Sequence, residues 1–312
     1  MEMKEGEMIP KESQKAEKKE YSPRVLLHFF RHGEKAKIPG KTNPEQLLTE
    51  EGKLQGYEKG KEGQPATPTA VGFGGYVKRA QEMSAFTMAG AKGIELTGKE
   101  SLEEVKQKLD EGLKYGSKMA VDKNLGFYYE PEFCQPKDKA YKENRGLKFI
   151  VEESDALAEQ LGDRYSSTYS RSAGRVATIL QKYAGIAPKF DKIISDEEKK
   201  KEYGDVLERF MGSHAGVIDA FLCKVVEKVK NKEERDKLVQ VLGESGFDPA
   251  EGFDIEIDTL ADQKEPVVRL KYHKEDKDGH PIFDFNEVIS PQLLQELVGE
   301  GKPEEPEDWG KQ

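Results

Sequence analysis

The chain has 312 residues, 35% hydrophobic and 35% charged, enough apolar material for one large core or a core with a substantial insertion. Fifty basic residues against sixty acidic ones leave a formal charge of −10, the wrong sign for broad affinity to nucleic acid or an anionic membrane, so neither is an expected partner. Cys134 and Cys223 stand far apart, without zinc-type spacing or a disulfide framework, which fits a reducing cytoplasm, and no apolar run is long enough to span a bilayer.

Residues 1–22 are rich in lysine and glutamate and lack the apolar stretch of a signal peptide; they read as a disordered tail, and 299–312 as a polar tail. The first predicted element is a buried strand over Arg24–Phe30, rich in aromatic and branched residues. It ends in Arg31-His32-Gly33-Glu34, where Gly33 permits a sharp turn or a close approach to a ligand. Ligands of open α/β sheets bind beyond the carboxyl ends of strands. A guanidinium beside an imidazole there suggests a phosphate site with a nucleophile in it, since arginine grips oxyanions in a fork and neutral histidine can attack phosphorus.

A polar loop follows, then a helix capped by Thr49 and running through Leu54 and Tyr57. Pro65 and Pro68 break the chain before a short strand, Val71–Gly75, and a helix over Tyr76–Phe86. This strand–helix–strand–helix order is an α/β beginning. Residues about 90–150 differ in character: Ser101 and Glu104 form a capping-box pattern opening a charged helix to about Tyr115, and an aromatic, irregular stretch spans Asn124–Phe133. The region reads as an insertion covering the site. Asp155–Tyr183 is mostly helical with a break at Ser166-Ser167. A strand over Val206–Gly212 leads through Ser213-His214-Ala215-Gly216 into an apolar helix, Val217–Val229. Three alternating runs near the end, with the hairpin signal Asp278-Gly279, read as antiparallel edge strands.

Three strand-to-helix junctions therefore carry His32, Arg79 and His214. Around them the chain resembles the histidine phosphatase superfamily, the phosphoglycerate-mutase-like fold. Arg31-His32-Gly33-Glu34 resembles the family's first motif, and Leu48-Thr49-Glu50-Glu51-Gly52-Lys53-Leu54-Gln55 the helix after it. Lys78-Arg79-Ala80-Gln81-Glu82 with Ser84-Ala85 is similar to a second family helix, and Gly212-Ser213-His214-Ala215-Gly216 to a late motif. The resemblance implies a three-layer α/β/α domain over 23–298, with a mixed, mostly parallel sheet and an inserted helical or irregular cap at about 90–150. It implies His32 as the nucleophile that takes a phosphoryl group, with Arg31, Arg79 and His214 as a cationic cradle. Where the family often has Ser-Ser-x-x-x-Arg, this chain has Gly74-Gly75-Tyr76-Val77-Lys78-Arg79, while Ser166-Ser167-Thr168-Tyr169-Ser170-Arg171 has that spacing, so Arg171 is the rival for the second cradle arginine.

The mutase-like branch takes its proton donor from a glutamate after that arginine, which here points to Glu100, Glu103 or Glu104, although Glu104 already has work in the capping box. No cofactor or metal is implied, because guanidinium groups would neutralise the phosphoryl oxygens. The expected activity is hydrolysis of phosphomonoesters through a phosphohistidine, acting on a small phosphorylated substrate or a phosphoprotein. A mutase is the alternative, but the positions where mutases carry Ser or Thr and Asn hold Lys35 and Ile38. A non-catalytic phosphate-binding protein ranks third, since both histidines are present. His28 reads as packing, His273 and His280 as surface, and the aromatic cluster Phe127–Phe133 as packing of the lid.

Overall fold

The run Val25–Arg31 forms strand β1, and its alternation sets the two faces of the sheet: Val25, Leu27 and Phe29 enter one apolar core, Phe30 the other. The computed structural model describes residues 23–113, 116–259 and 265–301. The two terminal tails read from composition thus lie almost wholly outside the described residues.

After β1 come α1 (Glu50–Glu62), β2 (Val71–Gly74), α2 (Lys78–Ala91), α3 (Leu102–Asp110) and β3 (Met119–Val121). Then α4 (Pro131–Lys142), α5 (Gly146–Glu152), α6 (Ser154–Leu161), α7 (Tyr169–Ile194) and α8 (Glu197–Tyr203) precede β4 (Leu207–Ser213). The last third holds α9 (Ala215–Val229), α10 (Lys232–Leu242), β5 (Gly252–Asp258), β6 (Val267–Glu275), β7 (Pro281–Ile289) and α11 (Pro291–Glu300).

The strands form one mixed sheet in the order β3-β2-β4-β1-β5-β6-β7. β3, β2, β4 and β1 are parallel, and β5, β6 and β7 extend the sheet as an antiparallel meander. β5 pairs with both β1 and β6, so of the three late strands only β7 is an edge. One face carries α1, α2 and α3 around Met83, Phe86 and Met88; the other carries α7 and α9 around Phe29, Val176, Met211 and Phe221. The molecule is therefore a three-layer α/β/α fold with a mixed sheet. No helix among the described residues is long and apolar enough to cross a membrane.

Two stretches depart from the elements predicted above. Part of residues 90–150 belongs to the sheet, because α3 crosses over and Met119–Val121 pairs in parallel with β2. A three-residue strand carries too little pattern to be read in advance. The segment that covers the site runs instead from Asp122 to Thr168, taking in α4, α5 and α6. Secondly, α7 continues past Tyr183 and through Pro188, a residue costing ~3 kcal/mol inside a helix. The burial of Phe190 and Ile194 beyond it offsets that cost.

Candidate active site

Strand register puts the two candidate histidines side by side. β1 and β4 are parallel neighbours with Arg31 opposite Ser213, so His32 and His214 leave the same edge of the sheet one residue later. The His32 N–H donates to the Ser213 carbonyl at 3.0 Å, carrying the ladder to the first of them. Their rings meet edge to face with centroids 5.1 Å apart. Phe127 packs edge-on against the far side of His214, at 4.7 Å.

Glycines allow the chain to turn away from this point. A Cβ on Gly33 would lie 2.3 Å from the Gly52 carbonyl oxygen, and one on Gly52 would lie 2.1 Å from that of Glu34. The loop after β1 and the first turn of α1 therefore touch backbone to backbone, which only glycine permits. Thr49 caps α1 through the Gly52 N–H at 2.9 Å, and Gln55 accepts from the Glu34 N–H at 3.0 Å. The sequence pattern Leu48-Thr49…Gly52…Gln55 is thus a clamp on the histidine loop.

α2 meets β4 just as closely. A Cβ on Gly212 would stand 2.1 Å from the Ala80 carbonyl oxygen, and the Ser84 hydroxyl accepts from the Gly212 N–H at 2.7 Å while donating to the Phe73 carbonyl. This contact drives the first turn of α2 toward the strand ends and delivers Arg79, which is buried. The Arg79 Nη1 donates to the carbonyls of Asn43, at 2.6 Å, and Gln46, at 3.5 Å; its Nε–H donates to His32 Nε2 at 3.2 Å.

The proton on His32 is placed by this pairing. Its Nδ1 lies 2.8 Å from the Gly33 carbonyl, which can only accept, so Nδ1 carries the hydrogen and Nε2 keeps its lone pair. Burial and the nearby charges of Arg79, Arg31 and Lys35 lower the pKa of His32 to about 3. The same forces, with His32 itself, push His214 well below its ordinary value. Both ring nitrogens of His214 are buried without a hydrogen-bond partner among the described residues. Arg31 is fixed from the other side, its Nη1 donating to the carbonyls of Ser245 and Phe247.

These groups line a cavity of about 420 Å³, closed on its far side by the segment after β3. Phe127, Tyr129 and the α4 residues Lys137, Asp138 and Tyr141 form that wall, while Lys35 and Asn43 come from the loop after β1. The floor is the N-terminus of α9, where Ala215 and Gly216 follow His214 and the helix dipole favours an anion. Phe127 and Tyr129, from the aromatic cluster expected to pack the lid, also face the cavity.

The other predicted residues lie elsewhere. Arg171 donates to the carbonyls of Ser166 and Asp163 at 3.0 and 2.6 Å and fastens the turn before α7. Ser166 and Ser167 accept from the N–H groups of Glu130 and Tyr128, each at 2.8 Å, so the rival serine-to-arginine pattern anchors the cap. Neither Arg171 nor those serines line the cavity. Glu104 closes the capping box on Ser101, and Glu100 accepts from the Thr97 N–H; both flank a separate depression beside α3. Neither lines the cavity beside His32 and His214. Glu103, paired with Lys106, does not line the cavity either.

Sequence reasoning passed over Lys35, Asn43, Lys137, Asp138 and Tyr141. The α4 run Lys137-Asp138-Lys139 has the composition of a solvated helix face, and nothing local marks it as facing inward. His28, read as packing, bridges two carboxylates on the sheet face that carries α1 and α2: Nδ1 lies 2.8 Å from Asp254 and Nε2 3.1 Å from Glu208. His273 and His280 are exposed, and both cysteines are free.

No family model matches the chain, and no curated protein matches it in sequence. Among solved structures it is similar to a mycobacterial glucosyl-3-phosphoglycerate phosphatase in complex with inorganic phosphate, at 14% identity, covering 80% of this chain and 96% of that one with a TM-score of 0.43. A mycobacterial hydrolase gives 12% identity over 80% of this chain and 98% of that one, with a TM-score of 0.43. The phytase from Citrobacter braakii gives 10% identity over 90% and 98%, with a TM-score of 0.39.

Proposed function

We propose that this chain is a phosphomonoesterase of the histidine phosphatase type, using His32 as its nucleophile. The observation that carries the reading is a neutral imidazole whose lone-pair nitrogen faces a cavity ringed by Arg31, Arg79, His214 and the N-terminus of α9. That arrangement supplies what phosphoryl transfer needs, an aligned nucleophile and positive charge around the equatorial oxygens. As substrate enters, the Arg79 N–H turns from His32 Nε2 to a phosphoryl oxygen. The Nε2–P bond then forms while the ester P–O bond breaks, and the departing oxygen takes the electron pair and a proton. Asp138 is the only carboxylate lining the cavity among the described residues, which favours it over Glu100 and Glu104 for handing over that proton. In the second half a water oxygen attacks phosphorus and gives a proton back to the Asp138 carboxylate, the N–P electron pair returns to Nε2, and phosphate leaves.

Phosphate release from 4-nitrophenyl phosphate tests the scheme. Activity should persist in EDTA, because four cationic side chains against one carboxylate repel a divalent ion. His32→Ala should lower kcat by at least ~10³-fold. A rapid quench should trap an acid-labile, base-stable phosphoryl adduct that the variant lacks. Full turnover by His32→Ala, or an absolute need for a divalent ion, overturns it.

A further inference from the structure

The loop between α10 and β5 rests against Arg31. Its carbonyls at Ser245 and Phe247 both accept from the Arg31 Nη1, the first of them at 3.3 Å. Arg31 is one of the cations lining the cavity, so whatever holds this loop decides where that charge points. Gly246, between the two carbonyls, has φ +76°, a left-handed conformation that glycine adopts readily, and it brings no side chain of its own to anchor the turn.

The anchor comes from α9. Asp219 stands on its second turn, five residues after His214, with 1% of the residue exposed. Its Oδ1 accepts from the Phe247 N–H at 3.4 Å. Its Oδ2 lies so close to the loop that a Cβ on Gly246 would stand 1.7 Å from it. Phe247 is therefore gripped at both ends, its N–H by Asp219 and its carbonyl by Arg31, while its ring is buried against Phe253 and Tyr272. A carboxyl group this deeply buried is costly unless its hydrogen bonds are needed. Asp219 does not line the cavity, and no step of the reaction above uses it. Burial pushes its carboxyl well above the ordinary aspartate value, and the Arg31 charge is the largest influence pulling it back, with Glu251 raising it and Lys274 lowering it. Charged or neutral, the oxygen accepts the Phe247 N–H.

We propose that Asp219 is a positioning residue for Arg31: from α9 it holds the stretch 245–247, whose carbonyls aim the guanidinium at the phosphoryl group. The proposal rests on the reading that this group sits against His32. One helix then serves the site twice, with His214 at its N-terminus and the brace for Arg31 on its second turn. Without the Asp219 oxygen the Phe247 N–H is buried and unpaired, and the loop shifts to satisfy it. A bound phosphate tolerates a displaced cation better than the transition state does, where charge must be met at fixed equatorial positions. The loss therefore falls on kcat more than on KM.

A double-mutant cycle on the full chain tests the brace, with 4-nitrophenyl phosphate as substrate and inorganic phosphate as the calorimetric probe. Asp219→Ala should lower kcat ~30-fold, while KM and the phosphate Kd rise no more than ~3-fold. Asp219→Asn keeps the acceptor and should recover most of that loss. With Arg31→Ala already in place, Asp219→Ala should cost less than ~2-fold further, because the residue acts through that guanidinium alone. Gly246→Ala presses a methyl group on the same carboxyl and should reproduce the kcat loss with the same dependence on Arg31, which decides the matter if Asp219→Ala fails to fold. Kinetics unmoved by Asp219→Ala, an Asp219→Asn protein as slow as Asp219→Ala, or losses that simply multiply with those of Arg31→Ala overturn the proposal. A protein that releases no phosphate from any ester, yet binds inorganic phosphate less tightly as Asp219→Ala only while Arg31 is present, leaves the brace standing and overturns the hydrolase reading instead.

Discussion

Arg79 does two things that a lysine cannot do together. Its Nε–H holds the lone pair of His32 while Nη1 is spent on the carbonyls of Asn43 and Gln46, so one planar group spans histidine and loop. Arg79→Lys keeps the charge but loses the fork, and kcat/KM for 4-nitrophenyl phosphate should fall ~10²-fold with unchanged thermal stability. Asp138 makes a claim of another kind. If it protonates the departing oxygen, Asp138→Asn should slow an alkyl phosphate by ~10²-fold and 4-nitrophenyl phosphate, whose leaving group needs no proton, by only a few-fold. Equal losses on both esters would assign Asp138 to holding Lys137 instead.

The segments that build the site are short and local, and for that reason much of it can be read without coordinates. Arg31-His32-Gly33 closes a strand, Arg79 opens a helix, and Ser213-His214 closes another strand, each within a few residues of a hydrophobic run with a clear period. The backbone contact between Gly33 and Gly52 explains why a glycine stands in the first turn of α1, where an ordinary helix former would serve better. Gly52→Ala should destabilise the chain by ~1–3 kcal/mol in urea titrations, because neither backbone can retreat. It should also lower activity, since the histidine loop moves with it. The cap resists such reading. Lys137, Asp138 and Tyr141 face the cavity from a segment whose start, at Tyr128 and Glu130, is tied to Ser167 and Ser166, more than thirty residues later. Neither end of that tie carries a local signal, and the same serines mimic a cradle motif when seen alone.

Across the whole molecule the histidines pull the pH dependence of stability in two directions. Burial by itself would lower the pKa of His28, but its bonds to Asp254 and Glu208 outweigh that and raise it to about 9. The stabilisation from this charged form is complete below the unfolded value of about 6.5 and disappears as pH rises through 9. His32 acts the opposite way. Held neutral to about pH 3, it stabilises the fold above 6.5 and progressively less as pH falls from there, because the unfolded chain then binds a proton that the native site refuses. Unfolding free energies measured between pH 5 and 9.5 should peak near 6.5. His28→Gln should lower the maximum by about 2 kcal/mol and flatten the alkaline limb, leaving the acid limb in place.

The place of β1 has a consequence for how the chain is assembled during synthesis. The earliest strand lies in the interior of the sheet between β4 and β5, both made after residue 206. Val25–Phe30 leaves the ribosome as an apolar ribbon with both edges bare, and more than half of the polypeptide follows before either neighbour exists. A nascent chain halted ahead of Leu207 lacks both native neighbours of this ribbon, so holding it apart from other such ribbons falls to chaperones, and His32 meets His214 only when β4 closes late against β1.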